Sequence, residues 1–79
     1  MALSILVQKD DNVIPVMTFI TSEENIKSVL KAEYPIRTLF SVMKTIFRNP
    51  EVFAREKREL EYQLHVYIED GYSIKLVME

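Results

Sequence analysis

His65 is the one histidine of the chain. With Tyr67 two residues on, and carboxylates at Glu59, Glu61, Glu69, Asp70 and Glu79, it marks the first place to look for acid–base chemistry. The surrounding alternation of polar and apolar residues sets His65 and Tyr67 on one polar strand face, with the carboxylates on that face or in the adjoining turn. No Ser or Cys nucleophile is expected beside them, and nothing in the pattern implies a pocket. The pair therefore reads as a small surface recognition patch. No catalytic residue is assigned, and the chain is expected not to be an enzyme.

Other site chemistries fail for want of parts. There is no cysteine, so neither disulfides nor thiolate metal sites can form, and one histidine cannot build a His-rich centre. Asp10, Asp11 and Asn12 look like a fragment of a calcium loop, but its glycine and its distal bidentate Glu are missing, so they read as a turn. Gly71 is the only glycine, which excludes Gly-rich phosphate loops and the nucleotide enzymes built on them. No metal and no cofactor is expected.

Charge is segregated along the chain. Residues 35–58 hold six of the ten Lys and Arg against Glu51 and Glu56, a balance of +4, and the remainder is −6, giving the formal −2. Arg37, Ser41, Lys44 and Arg48 fall at spacings of four, three and four, so they form one stripe of a helix. Arg55, Lys57 and Arg58 can extend it. Phosphate or an acidic protein patch is the natural complement of such a stripe, and a plain solvated helix face is the blander account.

Strands and helices must position these groups. Ala2 to Val7 and Val13 to Ile20 are rich in β-branched and aliphatic residues and flank the turn at Asp10, Asp11 and Asn12, which predicts a β-hairpin. A three-residue loop with Asn12 left-handed sets Leu6 opposite Val16 and Ile5 opposite Met17. Pro15 cannot donate to a ladder, so the second strand is an edge or carries a bulge, and the first is interior. Thr21 to Glu24 matches the S/T-x-x-E capping box and starts a helix that Tyr34-Pro35 closes. Pro35 opens a second helix whose Ile36, Leu39, Phe40, Met43 and Phe47 share a core face. Asn49, Pro50 and Glu51 start a short third helix, expected to end near Arg58.

From Leu60 the period becomes two, with Leu60, Tyr62, Leu64, Val66 and Ile68 alternating with Glu61, Gln63, His65, Tyr67 and Glu69, which predicts a strand. Phe53, Leu60, Leu64 and Tyr67 also fit helical spacing, so continuation of the third helix is the competing reading. In the strand reading, a loop of Glu69, Asp70 and Gly71 joins a last strand, Tyr72 to Met78, and pairs Ile68 with Tyr72, Val66 with Ile74 and Leu64 with Leu76.

The expected fold is one compact α+β domain over residues 1–79 in the order ββαα(α)ββ, with a four-stranded, mainly antiparallel sheet and helices packed on one face. The N-terminal hairpin is apolar on both sides, with Leu6, Ile14, Val16 and Ile20 on the face away from the helices. A second copy of the chain is the expected cover, so those four residues are the candidate oligomer interface. No stretch is apolar enough for a membrane span and no signal-peptide core is evident, so the reading is a cytoplasmic protein with no membrane partner. The function expected is a small binding or regulatory protein, accessory or inhibitor-like, acting through protein contact as a homodimer. Accessory proteins of phages and mobile elements share this make-up, and such a setting is the expected one. The alternative function is nucleic-acid binding through Arg37, Lys44, Arg48, Arg55, Lys57 and Arg58.

Overall fold

The computed structural model describes residues 1–79. Its elements are β1 (Ala2–Lys9), β2 (Asn12–Ile20), α1 (Glu23–Lys31), α2 (Pro35–Ile46), α3 (Pro50–Glu69) and β3 (Ser73–Met78). The architecture is α+β, but the sheet has three strands in the order β2-β1-β3, all antiparallel, and not four. The expected strand over residues 60–68 is the second half of α3, and β3 pairs with β1 instead.

The physical reason lies in what residues 50–69 lack. Between Glu51 and Asp70 there is no Pro and no Gly, and the segment is rich in Glu, Arg, Lys, Leu and Gln, all good helix formers. Nothing stops the helix once Asn49 has capped it, its side-chain oxygen accepting from the N–H groups of Glu51 at 2.9 Å and Val52 at 3.4 Å. Leu60 and Leu64, one turn apart, are the residues α3 buries, while Tyr62, Val66 and Ile68, which a strand would have placed beside them, remain exposed. At 20 residues α3 runs about 30 Å by its rise of 1.5 Å per residue. That is most of the molecule's longest dimension of 35 Å.

Asp70-Gly71 is therefore a helix stop and not a hairpin turn. Gly71 takes φ +93°, its N–H reaches the carbonyl of Ile68 at 3.0 Å, and the N–H of Tyr72 reaches that of Tyr67 at 3.0 Å. These two bonds define a Schellman motif, and its usual apolar contact is the edge-to-face pair of Tyr67 and Tyr72, ring centroids 5.2 Å apart.

The first hairpin forms with a different loop from the one expected. Lys9 pairs with Asn12 across the two residues Asp10 and Asp11, and Asp10, not Asn12, takes the positive φ, at 54°. Ile5 faces Met17, but Leu6 faces Pro15, because a bulge between these pairs leaves Val16 as the extra residue. The bulge shifts the phase of β2 by one residue. Ile14 consequently pairs with Val7 and packs against the core, not on the outer face. β2 is an edge strand and β1 the central one.

β1 fixes the layer order. Its Leu3, Ile5 and Val7 are fully buried and join Ile26 and Val29 of α1, Leu39, Val42 and Met43 of α2, Leu60 and Leu64 of α3, and Phe19 of β2 in one core of eleven residues. The helices lie on that side of the sheet. The other side carries Ser4, whose hydroxyl shares a hydrogen bond with Thr18 at 3.1 Å and donates to the Glu79 carboxylate at 2.9 Å. The N-terminus of α1 is capped one residue later than the motif suggests. Ser22 accepts from the Asn25 N–H at 3.2 Å, and the Asn25 amide donates to the Thr21 hydroxyl at 2.9 Å, so Asn25 occupies the position expected of Glu24.

Candidate functional site

α2 and α3 enclose the main concave surface of the molecule. Pro35 at the first position of α2 aims the helix, and Ile36 and Phe40, one turn apart and half-buried, present their sides to α3. On α3 the residues at four-residue spacing, Phe53, Lys57 and Glu61, form the facing wall. Together with Arg37, Ser41 and Lys44 they line a depression of about 580 Å³. It continues into a second of about 350 Å³, where Ile36, Phe40 and Glu61 recur beside Leu64, His65, Ile68 and Ile74. A third, of about 610 Å³, opens at the N-terminal end of α2, around Glu33, Tyr34, Pro35 and Arg37. The three share Ile36 and form one groove along α2.

The floor of the groove is apolar and its upper rim is cationic. Lys57 Nζ stands 5.2 Å from the ring centre of Phe40, and the Arg37 guanidinium 5.7 Å from that of Tyr34. The ion pairs Lys27–Glu23 and Arg55–Glu56 and the contact of His65 with Glu69 involve none of Arg37, Lys44 or Lys57. Three unpaired cations thus stand around the trough, two of them over aromatic rings. Glu61 stands in the same wall one turn beyond Lys57 and also lines the second depression with His65, whose Nε2 lies 3.1 Å from Glu69 Oε1.

The six candidate cations are divided by this geometry. Arg37, Lys44 and Lys57 converge on the groove. Arg48 is exposed beyond the C-terminus of α2, Arg55 pairs with its neighbour Glu56 at 3.8 Å, and Arg58 is exposed outside the groove lining. Residues 55 and 57 are about 200° apart on a helix, so one stripe could not hold them all.

His65 and Tyr67 are separated for the same reason. On α3 they point to different sides: His65 lines the lower groove, while Tyr67 is half-buried against the core and stacks edge-on with Tyr72. Of the four apolar residues assigned to the outer face of the hairpin, Ile14 and Val16 pack against the core, Leu6 is half-buried, and Ile20 is 74% exposed. The outer face also holds Ser4, Thr18 and Gln8, whose positions opposite Val77, Ser4 and Ser73 follow from the register. It is mixed in polarity, not an apolar sheet.

Sequence reasoning passed over Tyr34, Phe53 and Ile68 as groove residues. The signal was present for two of them: in the helical reading of residues 50–69, Phe53, Lys57, Glu61 and Ile68 fall on one side. No cluster of three or more Asp, Glu, His or Cys side chains gathers anywhere. No helix is long and apolar enough to cross a membrane. Comparison with protein-family models, curated proteins and solved structures gave no match to this chain.

Proposed function

We propose that the chain is a non-enzymatic binding domain, regulatory in effect, that acts by holding a partner protein in the groove between α2 and α3. The observation that carries this reading is the set of three cations, Arg37, Lys44 and Lys57, none of them in an ion pair, around the apolar side chains of Ile36, Phe40 and Phe53, with Glu61 the one carboxylate of that depression. An amphipathic helix with an apolar stripe at four-residue spacing and acidic flanks is the complement of that surface. Apolar contact supplies the binding energy and the cations fix orientation and speed encounter. The setting proposed is the cytoplasm, since a chain without cysteine gains nothing from an oxidising compartment. The working form proposed is a homodimer.

Nucleic acid is the second candidate for the same cations, supported by Arg37, Lys44 and Lys57 lying together. The two differ in what salt does. The test is fluorescence anisotropy with a labelled Leu- and Glu-rich amphipathic peptide and, separately, a labelled single-stranded oligonucleotide. The expected result is peptide binding that weakens about tenfold on Arg37→Glu with Lys57→Glu, a loss of about 1.4 kcal/mol, and is unmoved by Arg48→Glu. Oligonucleotide binding that falls steeply with salt, with no peptide binding, would replace this reading by the second.

A further inference from the structure

The two edges of the sheet are built differently. The outer edge of β2 is spoiled for pairing twice over: Pro15 has no N–H, and the bulge at Val16 breaks the repeat of the backbone groups. The outer edge of β3 has neither device over Ser73–Met78.

The groups on that edge can be assigned. Ala2 and Glu79 exchange both backbone hydrogen bonds, at 3.1 and 2.8 Å. In an antiparallel ladder such doubly bonded pairs recur at every second residue. They are therefore Ser4 with Val77, Leu6 with Lys75 and Gln8 with Ser73, in the observed register. Residues 73, 75 and 77 spend their backbone groups on β1. The N–H and C=O of Ile74, Leu76 and Met78 point away from it, and none of these six groups takes part in a turn, cap or side-chain hydrogen bond.

We propose that β3 pairs antiparallel with β3 of a second copy about a two-fold axis through Leu76, joining the sheets in the order β2-β1-β3-β3-β1-β2. This deepens the reading of the chain as a homodimer and rests on that reading, but not on the groove. Backbone parity, charge and saturation select the register. Outward groups must face outward groups, so only registers two residues apart are allowed. The one centred on Lys75 sets two ammonium groups face to face, and the one centred on Val77 runs Ile74 past Met78, where the facing β3 ends. Centring on Leu76 pairs Ile74 with Met78 and Leu76 with itself, so all six outward groups of each copy are used. On the open face Lys75 then lies opposite Val77 of the other copy, with Glu79 of that copy on the diagonal, within reach of a long side chain. An axis perpendicular to the sheet keeps both helical layers on one side, and the half-exposed Val77 and Met78 lie within the seam.

The test is analytical ultracentrifugation of the full chain over a concentration series reaching about 100 μM, with native-state amide exchange at its two ends. Expected are a dimer, and amide exchange at Ile74, Leu76 and Met78 that slows as concentration rises. Val77→Lys should weaken the dimer at least about tenfold, by crowding lysines at the seam, whereas Val77→Glu, facing Lys75, should hold it. Circular dichroism shows whether either variant is folded, and the exchange measurement on the native chain stands if one is not. A monomer throughout would overturn this proposal and the homodimer reading together. A dimer that survives Val77→Lys, shows no protection at those three amides and dissociates on Ile20→Lys would overturn the β3 seam alone.

Discussion

The Lys9 ammonium donates to the backbone carbonyl of Asp70 at 2.7 Å, tying the end of β1 to the C-terminus of α3 across 61 positions of sequence. The same ammonium lies 5.8 Å from the centre of the Tyr72 ring, which stands edge-on to Tyr67. A cation thus sits at the negative end of the longest helix, on a carbonyl that the helix itself leaves free. Lys9→Met keeps the stem and removes the charge. It should lower stability in urea by about 1 kcal/mol, with Lys9→Arg losing less. No loss at low salt would show the contact to be energetically idle.

Gly71 closes the same corner from the other side. Its φ of +93° is a conformation that L side chains rarely adopt, and an added Cβ would sit 3.4 Å from Lys9 Cε, an ordinary contact. The cost of Gly71→Ala is therefore backbone strain and not collision, about 1–2 kcal/mol. Urea unfolding measures it, and a value near zero would mean that the chain can stop α3 by another route.

Helix or strand over residues 60–68 is tested at Leu60 and Tyr62. In a strand Leu60 and Tyr62 share the buried face; in α3 Leu60 is fully buried and Tyr62 is 66% exposed. Leu60→Ala should cost about 2–5 kcal/mol and Tyr62→Ala less than about 0.5 kcal/mol. Equal losses at both positions, by thermal or urea unfolding, would favour the strand.

What could be read from the sequence was what local chemistry decides. Pro35 starts α2 and Asn49 with Pro50 starts α3 where they stand, and Pro15 marks both the edge strand and the bulge. The alternation from Leu60 to Ile68 misled because five apolar residues at period two contain a pair, Leu60 and Leu64, at helical spacing, and the surplus of Tyr62, Val66 and Ile68 simply stays exposed. Periodicity describes which sets are possible, and only tertiary packing says which set is buried. β3 then had no adjacent strand, and β1, which keeps one free edge once β2 has paired along the other, was its partner. For the candidate site, the cations were legible as residues but not as a cluster. Their convergence depends on how α2 faces α3, and so on the length of α3.

Capping of α1 offers a narrower test. Thr21 and Ser22 are adjacent hydroxyls, and only Ser22 accepts from a free helix N–H, that of Asn25. Ser22→Ala should cost about 1 kcal/mol. Thr21→Val removes only the acceptor of the Asn25 side chain and should cost less. The reverse order in urea titrations would restore the cap to Thr21.

Phe40 separates a core role from a groove role. It packs against the core but is only half-buried, with one side lining the trough beneath Lys57. A fully buried Phe truncated to Ala costs about 3–5 kcal/mol; Phe40→Ala removes less buried area, opens onto solvent and not onto a closed void, and should cost about 1–2 kcal/mol. The domain should therefore remain folded at 25 °C, as circular dichroism would show, yet bind the amphipathic peptide at least about tenfold more weakly. The loss has two sources: the apolar floor shrinks, and the Lys57 ammonium loses the ring that holds it over the trough. Lys57→Met should keep the floor and lose only the second contribution. If Phe40→Ala unfolds the chain outright, the residue belongs to the core and the trough is too shallow to bind. If it folds and binds as before, the groove is not the recognition surface.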